Sequence, residues 1–77
     1  MKFTPYFQFA YTRPDRIKIK LEWIKQVIDS PERQELQKDG RIKKWGYIKE
    51  EDKHLRVILL PDGETIHNAF FDRRYKS

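Results

Sequence analysis

The spacing of apolar residues predicts one amphipathic helix in the first half of the chain. Four apolar residues recur at intervals of three and four, the spacing of one helix face. They are Ile17, Leu21, Ile24 and Ile28. We therefore predict a helix over residues 13–29. Thr12 suits its N-cap, and Pro31 ends it, because a proline disfavours helical geometry in the residue before it.

Further along, shorter apolar segments separated by turn residues predict an antiparallel meander of three strands over residues 41–71. In the first of these strands, alternation places Trp45 and Tyr47 on one face with Arg41 and Lys43. Lys44 falls on the opposite face. One sheet face is thus both aromatic and basic.

The turn at Pro61–Gly63 leaves two registers open for the last hairpin. A type I turn followed by a glycine bulge places Arg56 opposite Asn68 and turns His67 toward the core. A two-residue turn instead places Ile58 opposite His67, on the face that carries Arg56. A slip of one residue exchanges the two faces of a strand. The proline favours the first register.

The N-terminal residues 1–12 have an alternating pattern, because Phe7, Phe9 and Tyr11 are separated by single residues. This pattern predicts an extended arm or edge strand, which could pair with a second copy in a homodimer or dock on another partner. Residues 31–40 form a charged connector with room for a short helical turn, and Asp39–Gly40 at its end predicts a turn into the next strand. We predict a single α+β domain over residues 1–77, with one N-terminal amphipathic helix packed on a three- to four-stranded antiparallel sheet.

Composition narrows the class of partner. The 77 residues include 17 Lys and Arg against 12 Asp and Glu, a net charge of +5. This charge favours RNA or an acidic protein as the partner. No cysteine is present, which excludes disulfides and thiolate metal sites and suits the cytoplasm. No apolar run reaches the roughly 18 residues of a membrane helix, and no motif predicts a metal or another cofactor.

Two residues of the last hairpin are candidates for chemistry. His67 could act as a general acid or base, since imidazole titrates near neutral pH, or be a hydrogen-bonded strand residue. Arg56 could clamp a phosphate, or be held by a carboxylate such as Asp72 or Glu64. We expect His54, which begins a strand beside acidic residues, to be exposed.

Cations interleaved with aromatic residues indicate a surface that binds RNA, with the charges on phosphates and the rings on bases. The alternative is an ordinary solvated surface. The residues of this candidate surface are Arg41, Lys43, Lys44, Trp45, Tyr47, Arg73, Arg74, Tyr75 and Lys76.

Three short motifs in this order resemble an uncharacterised family of small bacterial domains, itself similar to the RelE-like and barnase-like toxin superfamily. They are D-G-R-I at 39–42, L-R-V at 55–57 and H-N-A-F-F-D-R at 67–73. The resemblance spans residues 13–76. It implies a compact α+β toxin, a ribonuclease that works without metal and is neutralised by an antitoxin. In that case Arg56, His67, Arg73 and Tyr75 are the expected catalytic residues.

The leading hypothesis is therefore a toxin-like, metal-independent endoribonuclease. The alternative is a module that binds RNA or an acidic protein through the basic, aromatic sheet face without cleaving anything. A third hypothesis is a structural protein that pairs with its own copy through the N-terminal strand.

Overall fold

The computed structural model describes residues 2–14 and 18–75. It is an α+β fold with two helices and a five-stranded mixed sheet. In chain order the elements are β1 (Lys2–Phe3), α1 (Pro5–Ala10), α2 (Leu21–Asp29), β2 (Arg33–Leu36), β3 (Ile42–Ile48), β4 (Lys53–Leu59) and β5 (Thr65–Phe71). The sheet order is β1-β5-β4-β3-β2. All neighbours are antiparallel except β1, which runs parallel to β5.

The expected meander is present as β3, β4 and β5, but neither expected register of its last hairpin is correct. Arg56 lies opposite Phe70, and Ile58 lies opposite Asn68. Leu59 then pairs with Ile66, so His67 is an extra residue in a β-bulge. The bulge shifts the register partway along the strand, which a prediction from the turn alone does not include.

The turn before β5 is longer than predicted, and the carboxylate of Asp62 organises it. This carboxylate accepts bonds from the Thr65 hydroxyl at 2.6 Å, the Thr65 N–H at 2.9 Å and the Glu64 N–H at 2.8 Å. These bonds lower the pKa of Asp62 to about 2. Gly63 has a φ of 72°, as its place in the turn predicts.

The predicted extended arm over residues 1–12 is wrong for most of its length, because Pro5–Ala10 is a helix. Thr4 caps it by accepting a 3.1 Å bond from the Phe7 N–H, and Pro5 occupies its first turn. Phe7 is buried between the rings of Phe3 and Tyr11, at centroid distances of 5.3 and 5.4 Å. Spacings of four residues, rather than two, therefore govern this segment.

The predicted main helix is also shorter than expected. Helix α2 begins at Leu21, with Lys20 rather than Thr12 as its N-cap. The part of the predicted helix at residues 15–17, with Ile17, lies outside the described residues. Trp23, Ile24 and Val27 are the buried residues of α2. None of the helices in the described ranges is long and apolar enough to cross a membrane.

Residues 33–36 form an edge strand and not the short helical turn for which the sequence left room. Glu35 pairs with Lys43, and the Gln37 N–H donates to the Arg41 carbonyl at 2.8 Å. The predicted turn at Asp39–Gly40 closes this hairpin, with Gly40 at a φ of 93°. Pairing with β3 therefore outweighs the local helical signal.

Helix α2 covers one face of the sheet and forms the core with it. The fully buried side chains of this core include Ile24, Val27, Leu55, Val57, Leu59 and Ile66. At the closest approach a Cβ added to Gly46 would lie 2.8 Å from Val27 Cγ2. The Lys44 ammonium bonds the Ile28 carbonyl near the end of α2 at 2.9 Å. Helix and sheet thus meet where β3 has no side chain, and the opposite sheet face stays free of helices in the described ranges.

We predict that Gly46→Ala destabilises the fold by about 1–3 kcal/mol, because the new methyl group overlaps Val27. Urea denaturation followed by circular dichroism measures this change. In a Val27→Ala background the same substitution is expected to cost less, since the overlapping group is gone. An equal cost in both backgrounds would contradict this explanation.

Candidate nucleic acid interface on the open sheet face

The face opposite α2, here called the open face, carries a row of long side chains across four strands. Register places Arg33 of β2 beside Trp45 of β3, Trp45 beside Arg56 of β4, and Arg56 beside Phe70 of β5. The Arg56 guanidinium lies 5.4 Å from the centroid of the Trp45 ring and 5.0 Å from that of Phe70. The arginine is thus sandwiched between aromatic neighbours on adjacent strands.

Asp72, directly after β5, ties the C-terminal segment to this row. Its carboxylate accepts bonds from Arg56 Nε at 3.0 Å, from Arg56 Nη2, and from Trp45 Nε1 at 3.0 Å. Of the alternatives for Arg56, the ion pair with Asp72 is the one observed. Burial disfavours the charged carboxylate, but the bonds from Trp45, Arg56 and the Arg74 N–H outweigh it, so the pKa of Asp72 is lowered.

The chain after Asp72 folds back over the open face. The Asp72 N–H donates to the His54 carbonyl at 2.8 Å, and the Arg74 N–H donates to Asp72 Oδ1 at 3.0 Å. These bonds place the Tyr75 ring 5.7 Å from the Trp45 centroid. Trp45 is consequently only 6% exposed, so it supports this surface from below rather than offering a face to a base.

His54 is the residue that sequence reasoning undervalued. It was expected to be exposed, yet its side chain is only 21% exposed. Its ring contacts the tilted rings of Tyr75 and Tyr47, at centroid distances of 4.3 and 5.3 Å. Its Nε2 lies 2.9 Å from Glu32 Oε2. Within residues 2–14 and 18–75, Glu32 is the one group bonded to a ring nitrogen of His54. Glu32 and Tyr75 are both distant from His54 in the sequence, so no local pattern around His54 predicts these contacts.

His67 lies apart from this cluster. At the bulge of β5 its Nδ1 is 3.3 Å from Thr4 Oγ1, and its ring stacks on Tyr6 at 5.2 Å. Burial lowers the pKa of His67, and the nearby charge of Arg41 lowers it further. The structure therefore does not bring His67 together with Tyr75, its expected catalytic companion.

The predicted basic residues separate into several places. Arg73 and Arg74 are exposed beside Tyr75. Lys43 lies on the open face, as predicted, whereas the Lys44 ammonium donates a hydrogen bond to the Ile28 carbonyl. Arg41 lies 3.6 Å from Asp39, toward the end of the sheet that holds His67. Lys76 lies outside the described residues.

Tyr47 is 39% exposed. Its hydroxyl donates to Asp52, and this bond, followed by burial and the charge of Asp52, raises the pKa of Tyr47. Among the predicted aromatic residues, Tyr47 and Tyr75 are thus better placed than Trp45 to stack on a base.

Two surface depressions lie on either side of Tyr75. One, of about 270 Å³, is lined by Asp52, Lys53, His54, Phe71, Asp72, Arg73 and Tyr75. The other, of about 320 Å³, is lined by Arg33, Glu35, Trp45, Arg56, Asp72, Arg74 and Tyr75. We call them together the Tyr75 groove. No three His, Asp or Glu side chains of the described residues lie close enough together to hold a metal ion.

Comparison with protein-family models, with curated protein sequences and with solved structures found no match. What the groove can do chemically is therefore inferred from its own residues. It combines an imidazole paired with a carboxylate, the Tyr75 ring and several guanidinium groups.

We predict that Asp72→Asn lowers the free energy of unfolding by about 1–3 kcal/mol at pH 7, because Arg56 loses its charged partner. Because the pKa of Asp72 is lowered on folding, its contribution is present at neutral pH and lost as pH falls through the folded-state pKa. The difference between wild type and variant should therefore shrink below about pH 4.

Urea denaturation of both proteins between pH 3 and 7 measures this difference, with Glu51→Gln, an exposed carboxylate on the β3–β4 turn, as the control. A stability difference for Asp72→Asn that stays constant over this range would contradict the linkage.

Proposed function

We propose that this protein is a metal-independent endoribonuclease that binds RNA in the Tyr75 groove. The observation that carries the proposal is the His54–Glu32 pair at 2.9 Å. The imidazole of this pair contacts the Tyr75 ring in a groove that Arg73 also lines. An imidazole oriented by a carboxylate is a suitable general acid or base. The resemblance to the RelE-like and barnase-like toxins and the net charge of +5 support the same function.

The proposed reaction is an internal transfer at phosphorus. His54 accepts the proton of a ribose 2′-hydroxyl, and the 2′-oxygen attacks the adjacent phosphate. The bond from phosphorus to the 5′-oxygen breaks, and the leaving oxygen takes a proton from Tyr75. The products are a 2′,3′-cyclic phosphate and a 5′-hydroxyl end, so no water, metal or cofactor is consumed. In this scheme His54 replaces His67 as the catalytic histidine.

The arginines divide into two roles. Arg73 and Arg74 are exposed beside the groove and can hold phosphate oxygens with charged hydrogen bonds. Arg56 is paired with Asp72, and this pair carries no net charge. We therefore assign to Arg56 the positioning of Trp45 and of the C-terminal segment, rather than phosphate binding.

A second candidate is RNA binding without cleavage. The specific observation in its favour is the combination of exposed guanidinium groups with the Tyr75 ring in the groove. Proteins that bind single strands without cleaving them use cations and aromatic rings in this way. Under the toxin hypothesis the protein acts in the cytoplasm, and an antitoxin protein would cover the groove with acidic residues.

For cleavage, we predict that purified wild-type protein cuts single-stranded RNA in the presence of EDTA and that His54→Gln lowers the rate by at least about a hundredfold. Mass spectrometry of the fragments should detect 2′,3′-cyclic phosphate ends. His67→Gln is the matched control, because it changes the same residue type outside the groove.

Two outcomes separate the candidates. If His67→Gln abolishes cleavage and His54→Gln does not, the active site lies at the bulge of β5 instead. If no variant and no wild-type sample cleaves RNA, yet all bind it, the protein is the binding module.

For binding, we predict that affinity for a single-stranded RNA falls with salt and that Arg73→Ala and Arg74→Ala each reduce the slope of log affinity against log salt by about 0.7, one lost phosphate contact. Fluorescence anisotropy at several salt concentrations measures this slope. Lys25→Ala removes an equal charge from the exposed side of α2 and should leave the slope unchanged. Equal effects of all three variants would indicate attraction by net charge alone.

A further inference from the structure

Strand β2 forms one edge of the sheet, and all four of its residues are exposed. Its Leu36 is 73% exposed, the most exposed of the large apolar side chains in the described residues. The Gln37 N–H donates to the Arg41 carbonyl at 2.8 Å, so the backbone of Gln37 points toward the β3 side of the hairpin. In an antiparallel pair every second residue bonds its neighbour, so Glu35 and Arg33 also turn their backbone toward β3. Gln34 and Leu36 therefore turn theirs away from the sheet.

We propose that this edge pairs with the β2 edge of a second copy of the chain, antiparallel and with the two-fold axis at Gln34. The outward backbone of Gln34 then forms a hydrogen-bonded pair with its own counterpart. In the same register Arg33 lies opposite Glu35 of the second copy, and Glu35 lies opposite Arg33. The outward groups of Gln34 and Leu36 also permit Gln34 to pair with Leu36, but that alignment places Glu35 opposite Glu35. The strand sequence R-Q-E is complementary to itself in charge when the axis lies at Gln34.

The charges of this edge select a second copy over other occupants. Within one chain the Arg33 guanidinium lies 3.7 Å from the Glu35 carboxylate, so both side chains occupy the same stretch of the open face. Directly opposed charges of unlike sign stabilise antiparallel pairing. Charged side chains commonly protect an edge strand against pairing, but here the two charges have opposite sign, so a second copy can meet each with its opposite. Strand β2 has no net charge in a chain of net charge +5, so the strand itself adds no repulsion between two cationic copies.

This pairing joins the two sheets with both open faces on the same side, because the axis runs perpendicular to the sheet. Arg33 lies 5.7 Å from the Trp45 ring and lines the Tyr75 groove, so the grooves of the two copies adjoin across β2. The dimer does not depend on ribonuclease activity, and it is measured without RNA.

Sedimentation equilibrium up to about 1 mM protein tests the charge complementarity. Wild type is expected to show a concentration-dependent dimer. Arg33→Glu and Glu35→Arg each place like charges opposite one another twice and should weaken association by about tenfold or more. The double variant Arg33→Glu with Glu35→Arg restores the opposite charges and should restore the dimer. Circular dichroism establishes that all four proteins are folded.

Cross-linking tests the register. The chain has no cysteine, so Gln34→Cys introduces a single thiol at the proposed axis. Paired residues there have Cα atoms about 5.5 Å apart, which a disulfide can span. Mild oxidation should give a covalent dimer, whereas Leu36→Cys, which lies opposite Glu32 of the second copy, should stay monomeric.

A wild type that remains monomeric at the highest concentration overturns the proposal. So does a dimer that the single charge reversals leave unchanged, or cross-linking that is as efficient at position 36 as at position 34.

Discussion

The Asp72 carboxylate is the interaction on which the open face depends. It accepts hydrogen bonds from Arg56 and Trp45, while the backbone N–H of Asp72 donates to the carbonyl of His54. Removing its charge leaves an arginine packed between two aromatic rings with no anion to neutralise it. Tyr75 reaches Trp45 and His54 only because the chain turns at Asp72. One carboxylate thus fixes both the arginine of the sheet and the tyrosine of the groove.

The sequence predicted those parts of the fold that local patterns encode. The three-strand meander, the Gly63 and Gly40 turns and the face shared by Trp45 and Tyr47 all follow from alternation and from turn residues. Helix α1 was not predicted, because the spacing of Phe7, Phe9 and Tyr11 fits an extended strand as well as a helix. Only the burial of each side chain distinguishes these two interpretations. Phe7 is buried and Phe9 is 66% exposed, which the helical spacing explains.

The candidate site was predictable in its residue types but not in its pairings. An arginine between apolar strand residues indicated either a phosphate or a carboxylate, and Asp72 was one of the two carboxylates named for it. The sequence analysis placed His67 above His54 as the candidate for chemistry, but the surroundings of both residues come from distant elements. Glu32 precedes the edge strand and approaches His54 across β3, whereas a bulge turns His67 toward α1. The spacing of apolar and polar residues does not reveal the one-residue register shift in β5.

The two edges of the sheet differ in a way that bears on assembly. At one edge β1 contributes only Lys2 and Phe3, and α1 follows almost at once and packs against β5. A second strand at this edge could pair with only these two residues, because α1 begins almost directly after them. Within residues 2–14 and 18–75 the sheet therefore has one longer edge available, that of β2, and an isologous contact at that edge occupies it. Pairing between sheet edges would then stop at a dimer. Sheets with two open edges can instead add further copies and polymerise.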